Sequence, residues 1–449
     1  MNLNGNNILL VGLARTGIST IKKLYEKGAK VTVNDIKDEE KLKDILNDLN
    51  EYDVKYVLGQ HIEDISGVDL TIVSPGVPLN LDFIKKIKES NIEVIGEVEL
   101  AYRLSKSFFI GITGTNGKTT TTTLVGEIFK KANKDTYIVG NIGNPVIDTV
   151  DKSNEDSVLV TELSSFQLES IKEFRPRISV ILNITPDHLN RHKTMQNYIN
   201  AKCRIFENQN NSDFTVLNYD CETTRGLGEN CKSKVVYFSR KHILNEGVYV
   251  KDGIIVINLN DKEIKLMNIS EISIPGSHNL ENALAAVSIA AVYGLDMEVV
   301  KQVLKIFGGV EHRLEFVRQI NDIKFVNDSK GTNPDASIKA LNAYDNPIIL
   351  IAGGQDKKSD FAEFTKLFNE KVKHVVLLGE TSNIIRESAI AQGFDNCHKV
   401  ESMEEAVEKA YELASPNDVI LLSPACASWD MYESYEVRGN HFKNEVFSL

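Results

Sequence analysis

Residues 113–122 read TGTNGKTTTT, directly after the apolar run FFIGI at 108–112. A strand that runs into a Gly-rich turn closed by Gly-Lys-Thr is a phosphate cradle. Successive backbone N–H groups and the N-terminus of the following helix face phosphate oxygens, Lys118 adds a cation, and the Thr119 hydroxyl can ligate Mg²⁺. The spacing departs from the common pattern by one residue, because Gly111 lies one place too early and Ile112 fills the expected slot. The bland alternative is a Gly-rich turn that happens to contain Lys-Thr. The strand–loop–helix context favours a nucleoside triphosphate, without saying which molecule receives the phosphate.

The chain has 449 residues, too many for one ordinary core, and a prior of about three domains follows. Hydrophobic content of 42% and charged content of 25% are those of a globular protein. A net charge of −12 argues against broad nucleic-acid or anionic-membrane binding, although local basic residues can still line a pocket for an anionic small substrate. The five cysteines are scattered without a CxxC pair, so neither a disulfide framework nor a zinc site is expected, and a cytoplasmic location fits. The N-terminus MNLNGNNILLVGLARTG lacks the basic region and cleavage site of a signal peptide. No apolar run approaches the roughly 20 residues of a membrane span.

Strand and helix patterns alternate over the first hundred residues: NILLVG, KVTVND, YDVKYVL and VDLTIVSPG read as strands, with a helix over TGISTIKKLYEKG. That rhythm predicts a parallel sheet with helical crossovers. A second α/β block begins at FFIGITGTNGK and includes SVLVTE, RISVILNI and a hairpin-like stretch at 248–267 turning at Lys251-Asp252-Gly253. After two helices, Gly308-Gly309 offer a hinge. The βα rhythm restarts with IKFVND, NPIILIAGG, KHVVLLG and DVILLSPA.

Several motifs sit at predicted strand ends. The first loop, Gly12-Leu13-Ala14-Arg15-Thr16-Gly17 with Asp35 closing the next strand, is a dinucleotide fingerprint broken at Ala14; another nucleotide or a purely structural βα turn competes with NAD. Glu162 ends SVLVTE and His188 follows RISVILNITPD, so both can meet at a metal beside Thr119. Lys202 lies seven residues after Met195, on the apolar face of its helix. Either its stem snorkels with the tip in water, or desolvation lowers its pKa and the neutral amine captures CO₂, giving an anionic metal ligand. In the last block FVNDSKGTNPD, IAGGQDKKSDF and LLSPACASWDMY either line one pocket or are ordinary βα loops.

Taken together, GITGTNGKTT, TELSSFQLE, NITPDHLNRH, the Ala-Lys of INAKCRIF, PGSHNLENALAA, EHRLE, NDSKGTNPDA, AGGQDKKSDF and LSPACASWD resemble the Mur ligase family, in the family's order along nearly the whole chain. The resemblance implies an ATP-dependent amide ligase of peptidoglycan precursor synthesis. GLARTG, SPG at 74–76, ELSSFQLE and SPACAS look most like the branch that joins D-glutamate to UDP-N-acetylmuramoyl-L-alanine. The implied fold is α/β in three domains: a Rossmann-like UDP-substrate domain (1–98), a P-loop ATPase-like domain (99–308) and a Rossmann-like amino-acid domain (309–449). By the same resemblance Gly114, Thr115, Asn116, Gly117, Lys118, Thr119 and Thr120 hold ATP phosphates. Thr119 and Glu162 serve one Mg²⁺, and His188 with carbamylated Lys202 a second, CO₂ supplying the carbamate. Asn279, Asn282, Arg313 and Asp328 hold the nucleotide, and Lys330 reaches the transferred phosphate. Leu13, Arg15, Thr16, Asp35, Lys37, Ser74 and Gly76 line the UDP site, and Asn141 touches the reacting region. Thr332, Lys357 and Ser428 bind D-glutamate, with Tyr435 where close relatives usually have Phe. A monomer is expected. A folylpolyglutamate-type or other stem-peptide ligase competes within the family, and an ATP-gated scaffold outside it.

Overall fold

The computed structural model describes residues 1–356 and 359–449, and of Arg15 and Asn190 the backbone alone. Lys357 therefore lies outside the described residues. Met1–Glu271 with Glu281–Leu304 form one compact unit, and Ile272–Leu280 with Lys305–Leu449 a second.

The first sheet holds β1 (Asn7–Val11), β2 (Lys30–Asp35), β3 (Val54–Leu58), β4 (Leu70–Val73) and β5 (Glu93–Gly96), in the order β3-β2-β1-β4-β5. Every pairing is parallel. Alternation along β1 divides its side chains between two cores. Ile8 and Leu10 pack with Ile21 and Leu24 of the helix Arg15–Glu26, while Leu9 and Val11 pack with Ile84 and Ile87 of the helix Asp82–Glu89. Strand order reverses between β1 and β4, so the loops leaving these strands flank the crevice where such sheets bind ligands.

The second sheet holds β6 (Phe108–Thr113), β7 (Thr136–Gly140), β8 (Val158–Glu162), β9 (Ile178–Ile181), β10 (Phe214–Asn218), β11 (Lys234–Ser239), β12 (Gly247–Lys251), β13 (Ile254–Leu259) and β14 (Lys262–Asn268). The order is β14-β13-β12-β11-β10-β9-β6-β8-β7. It is parallel up to β12 and antiparallel beyond. The expected hairpin at 251–253 is present, with Asp252 and Gly253 at φ 51° and 74°. A second turn follows at Asn260 (φ 52°) and Asp261 (φ 58°), so the stretch is a three-stranded meander. Asn and Asp tolerate the left-handed region that a two-residue hairpin loop requires.

The third sheet holds β15 (Glu315–Ile320), β16 (Ile323–Asn327), β17 (Ile348–Ala352), β18 (Val372–Leu377), β19 (Cys397–Lys399) and β20 (Val419–Leu422), ordered β15-β16-β20-β17-β18-β19. The last strand in sequence inserts between β16 and β17, parallel to both. The loops NDSKGT, AGGQ and SPACAS thus leave one edge side by side, although they are far apart in sequence. None of the helices among the described residues is long and apolar enough to cross a membrane.

The helix Glu97–Leu104, which leads out of the first sheet, is tied to the segment after β8 by a buried carboxylate. Glu99 is fully buried and accepts from the backbone N–H groups of Lys172 (2.8 Å), Glu173 (2.9 Å) and Phe174 (2.9 Å), and from Arg103 Nε (2.7 Å). Removing the carboxylate takes the shared acceptor from three backbone N–H groups and from Arg103 Nε. Glu99→Ala is expected to lower stability by about 3–5 kcal/mol, read as a fall in the first urea unfolding midpoint. An unchanged midpoint would show that the cluster contributes nothing net.

Candidate active site

The strand β6 ends at Thr113, and the helix Lys118–Lys131 starts four residues after Gly114. Gly117 caps this helix with φ 85°, a left-handed conformation that favours glycine, and a Cβ there would displace Asn282 Oδ1. Lys118 Nζ folds back onto the carbonyl oxygens of Gly114 (3.0 Å) and Thr115 (2.8 Å). The loop is clamped from β9's exit by Asn183. Its Oδ1 accepts from Asn116 N (2.9 Å), its Nδ2 donates to Asn116 O (3.0 Å), and its carbonyl accepts from Thr115 N (3.0 Å). Thr115 Oγ1 meets Thr185 O and the Tyr198 hydroxyl, both at 3.1 Å. Thr119 and Thr120 are buried at the helix start, and Asn282 accepts from Thr121 Oγ1 (3.2 Å).

Glu162 ends β8, the strand beside β6. It is 1% exposed. Its Oε1 accepts from Asn141 Nδ2 (2.7 Å), while Oε2 is buried with no hydrogen-bond partner among the described residues. A buried, half-satisfied carboxylate beside a phosphate loop has the chemistry of a hard-cation ligand. No three His, Cys, Asp or Glu side chains gather tightly enough to hold a metal unaided, among the described residues. Thr119, phosphate oxygens or a modified side chain would have to complete the set.

The structure bears on one of the two readings of Lys202. It is 1% exposed, so its tip does not reach water as a snorkelling stem would. Nζ donates to Gly114 O (2.7 Å) and sits over the Tyr198 ring, 4.7 Å from its centroid. Burial, aided by the nearby Lys118 charge, holds its pKa well below the ordinary lysine range. His188 has a different setting. Its backbone is left-handed (φ 52°), its side chain is half exposed, and its ring lies against Phe166, with centroids 5.0 Å apart.

At the first sheet, the Ser74 hydroxyl donates to Gly12 O (2.7 Å), joining the loops after β1 and β4. Asp35 accepts from Leu13 N (2.7 Å) through one oxygen and from Lys37 N (2.8 Å) through the other, so it shapes the crevice loop as well as facing it. Thr16 accepts through its carbonyl from Thr20 Oγ1 (2.8 Å).

The second unit has its own polar edge. Asp328 is buried, accepting from Ser423 Oγ (2.7 Å) and Leu314 N (3.3 Å). Desolvation outweighs these bonds and the Arg313 charge, pushing its carboxyl up to about 7. Lys330 Nζ lies over the Tyr435 ring at 5.3 Å, which gives that ring a cation–π partner. Thr332 N donates to Lys330 O (2.9 Å), and Ser428, 2% exposed, accepts through its carbonyl from Tyr432 N (2.8 Å). Asn279 Nδ2 donates to Pro275 O (2.7 Å).

Two organising residues were not among the sequence candidates. Asn183 is one; its only signal was its place as the first residue of the quoted NITPDHLNRH. Arg438 is the other. It is buried and donates to Ser329 Oγ (3.0 Å), Ser329 O (2.8 Å), Cys426 O (3.1 Å) and Ala427 O (3.2 Å), lacing the loop after β16 to the loop after β20. Burial lowers its pKa to about 10. An arginine in a charged C-terminal helix reads as surface until these partners are known.

A strand-flanked phosphate loop, a partly unsatisfied carboxylate on the neighbouring strand and a nucleotide-type crevice define a nucleotide-dependent transferase or ligase. Family profiles narrow this. Residues 6–96 match the Mur ligase MurD-like N-terminal domain, 112–290 the Mur ligase middle domain, and 312–426 the Mur ligase glutamate ligase domain. Over its full length the chain is 59% identical to the UDP-N-acetylmuramoylalanine–D-glutamate ligase of Clostridioides difficile strain 630, with 100% of both chains covered. It is 52% identical to the enzyme of the same name from Alkaliphilus oremlandii strain OhILAs, again with 100% of both covered. The chain belongs to the Mur ligase family. Its fold is similar to that of UDP-N-acetylmuramate-alanine ligase from Thermotoga maritima, with TM-score 0.61, 21% identity, and 98% and 99% of the two chains covered.

Lys118→Ala should leave the fold intact and remove nucleotide-dependent turnover. Lys118 Nζ bonds the loop carbonyls of Gly114 and Thr115, and a charge-assisted contact to phosphate contributes about 1.5–3 kcal/mol, more toward a charged transition state. Circular dichroism and phosphate release measured on one sample check both halves; a folded variant with substantial turnover would remove Lys118 from the site.

Proposed function

We propose that this chain is an ATP-dependent ligase that joins D-glutamate to UDP-N-acetylmuramoyl-L-alanine in peptidoglycan precursor synthesis. The observation that carries this is full-length 59% identity to a ligase of that name, together with the built phosphate loop and its neighbouring carboxylate. Residues 1–98 would hold the UDP substrate, 99–308 ATP, and 309–449 the amino acid, in a monomer working in the cytoplasm.

The chemistry follows from a weakness of the acceptor. A carboxylate is a poor electrophile, because its leaving group would be oxide. Transfer of the γ-phosphoryl group to the alanine carboxylate gives an acyl phosphate and ADP. The D-glutamate amine adds to that carbonyl, and the tetrahedral adduct expels phosphate as the amide forms. Positioning and charge stabilisation supply most of the catalysis. Gly114 to Thr120 would cradle the phosphates, Lys118 turning from its loop carbonyls to meet them. Mg²⁺ held by Thr119 and Glu162 would neutralise phosphate charge. Asn282, Asn279, Arg313 and Asp328 would hold the nucleotide, and Lys330 would meet the transferred phosphate. Leu13, Arg15, Thr16, Asp35, Lys37, Ser74 and Gly76 would take the UDP moiety, with Asn141 near the reacting carboxylate. Thr332, Ser428 and Lys357 would bind D-glutamate, Tyr435 bordering them.

Lys202 would act as a carbamate. A neutral amine adds to CO₂, forming an N–C bond and releasing a proton, and +1 becomes −1 where cations must gather. Support comes from the burial of Nζ and from the depressed pKa. The carbamate and His188 would serve a second Mg²⁺.

A phosphate-release assay over a panel of amino acids tests the substrates. D-glutamate with UDP-N-acetylmuramoyl-L-alanine should turn over fastest, and L-glutamate poorly, because inversion misdirects the amine when both carboxylates are anchored. Lys357→Ala should raise the KM for D-glutamate with little change for ATP, a carboxylate left desolvated and unpaired costing about 2–5 kcal/mol. Faster turnover of L-glutamate, L-alanine or a diamino acid would overturn the substrate but not the family.

Lys202→Ala should abolish turnover, and added short carboxylic acids should restore part of it by supplying the missing anion. Absence of rescue, with crystallographic density ending at a bare ammonium in the metal-loaded wild type, would rule the carbamate out.

A further inference from the structure

Arg191 lies in the short helix Leu189–His192, between His188 and Lys193, both left-handed at φ 52° and 69°. Its guanidinium reaches the first sheet, donating to the carbonyl oxygens of Gly76 and Val77, both at 3.2 Å. These belong to the loop after β4, one wall of the crevice where strand order reverses. The same group pairs with Glu169 Oε2 (2.8 Å) and lies over the Phe166 ring at 4.9 Å. The other Glu169 oxygen faces His192 Nδ1 (3.4 Å), and His192 Nε2 meets Ser165 Oγ (2.9 Å). Ser165 opens the short helix Ser165–Leu168, three residues after Glu162. A serine, a histidine and a carboxylate in this order invite comparison with a hydrolytic triad. Ser165 is 2% exposed, however, so no substrate reaches its hydroxyl.

We propose that Arg191 is a positioning residue that locks the crevice loop Ser74–Val77 to the metal-side segment 162–169 and to the His188 loop, through Glu169 and His192. A planar fork is needed for this. Two successive carbonyls and a carboxylate are met by one rigid group, which a lysine ammonium cannot match. The lock fixes the height of the UDP-substrate loop relative to the phosphate cradle, so that a bound carboxylate arrives in line with the γ-phosphate. Its expected signature is a loss specific to the UDP substrate. The proposal rests on the ligase function proposed above.

Arg191→Lys, Glu169→Gln and the double variant test it, with calorimetric binding of UDP-N-acetylmuramoyl-L-alanine alone and steady-state kinetics. Arg191→Lys should raise the KM for that substrate about tenfold or more and weaken its direct binding to match, as the loss of a charge-assisted bond would. The KM values for ATP and D-glutamate should stay within about twofold. Because the two residues act as one unit, the double variant should be less impaired than the product of the single effects. Unchanged binding and KM would overturn the proposal. So would a parallel shift of all three KM values with the thermal midpoint, the mark of a merely structural role, or strictly multiplicative effects. Should Arg191→Lys not fold, Glu169→Gln must by itself give the substrate-selective loss, and if it moves nothing the proposal falls. A wild-type protein that fails to bind the UDP substrate would refute the ligase function instead, a result visible before any variant is made.

Discussion

A carboxylate oxygen with no donor among the described residues, sealed at the end of a parallel strand, is the constraint around which the phosphate-loop edge of the first unit is arranged. Glu162 Oε2 is buried beside the phosphate loop, while Oε1 is held by Asn141. Leaving such an oxygen unpaired costs folding free energy, about 1–3 kcal/mol or more for a charged group. It persists because the neighbouring elements hold it in place. β8 lies directly against β6, and Asn141 N donates back to the Glu162 carbonyl (2.9 Å). A divalent cation, as the proposed function requires, would turn that liability into a ligand.

The same economy of charge governs Lys202. An ammonium buried a hydrogen bond from Gly114 O, close to Lys118, is poorly placed as a cation. Two lysines therefore converge on the backbone oxygen of one glycine. Under the proposed function one would leave for phosphate and the other would act as a neutral or modified group. In the second unit Asp328 and Arg438 show the complementary case, a carboxyl pushed up and a guanidinium pushed down by burial, each surrounded by polar partners. Polar groups kept in low dielectric are expensive, and they cluster where chemistry needs poised charges.

Much of this was legible in the linear chain, for local reasons. TGTNGKTT is a contiguous loop whose backbone supplies its own binding groups, so it can be read without a fold. Parallel strands buried on both faces announce themselves as apolar runs, as NILLVG and NPIILIAGG do. The meander was half legible: Asp252-Gly253 is a familiar turn, whereas Asn260-Asp261 depends on two residues that only tolerate the left-handed region.

By itself, the sequence determined the phosphate loop, the three-fold βα rhythm, the order of family motifs and the apolar face that carries Lys202, because each depends on residues a few positions apart. Only the tertiary structure decided which distant loops share an edge. β20 inserts between β16 and β17, bringing SPACAS beside NDSKGT, and Arg438 laces the two together. It decided likewise that Lys202 is sealed from water and that Arg191 reaches a loop more than a hundred residues upstream. Periodicity says which face of a helix is apolar, but the depth of a charge and its partners depend on packing between segments whose separation in sequence carries no trace of their separation in space.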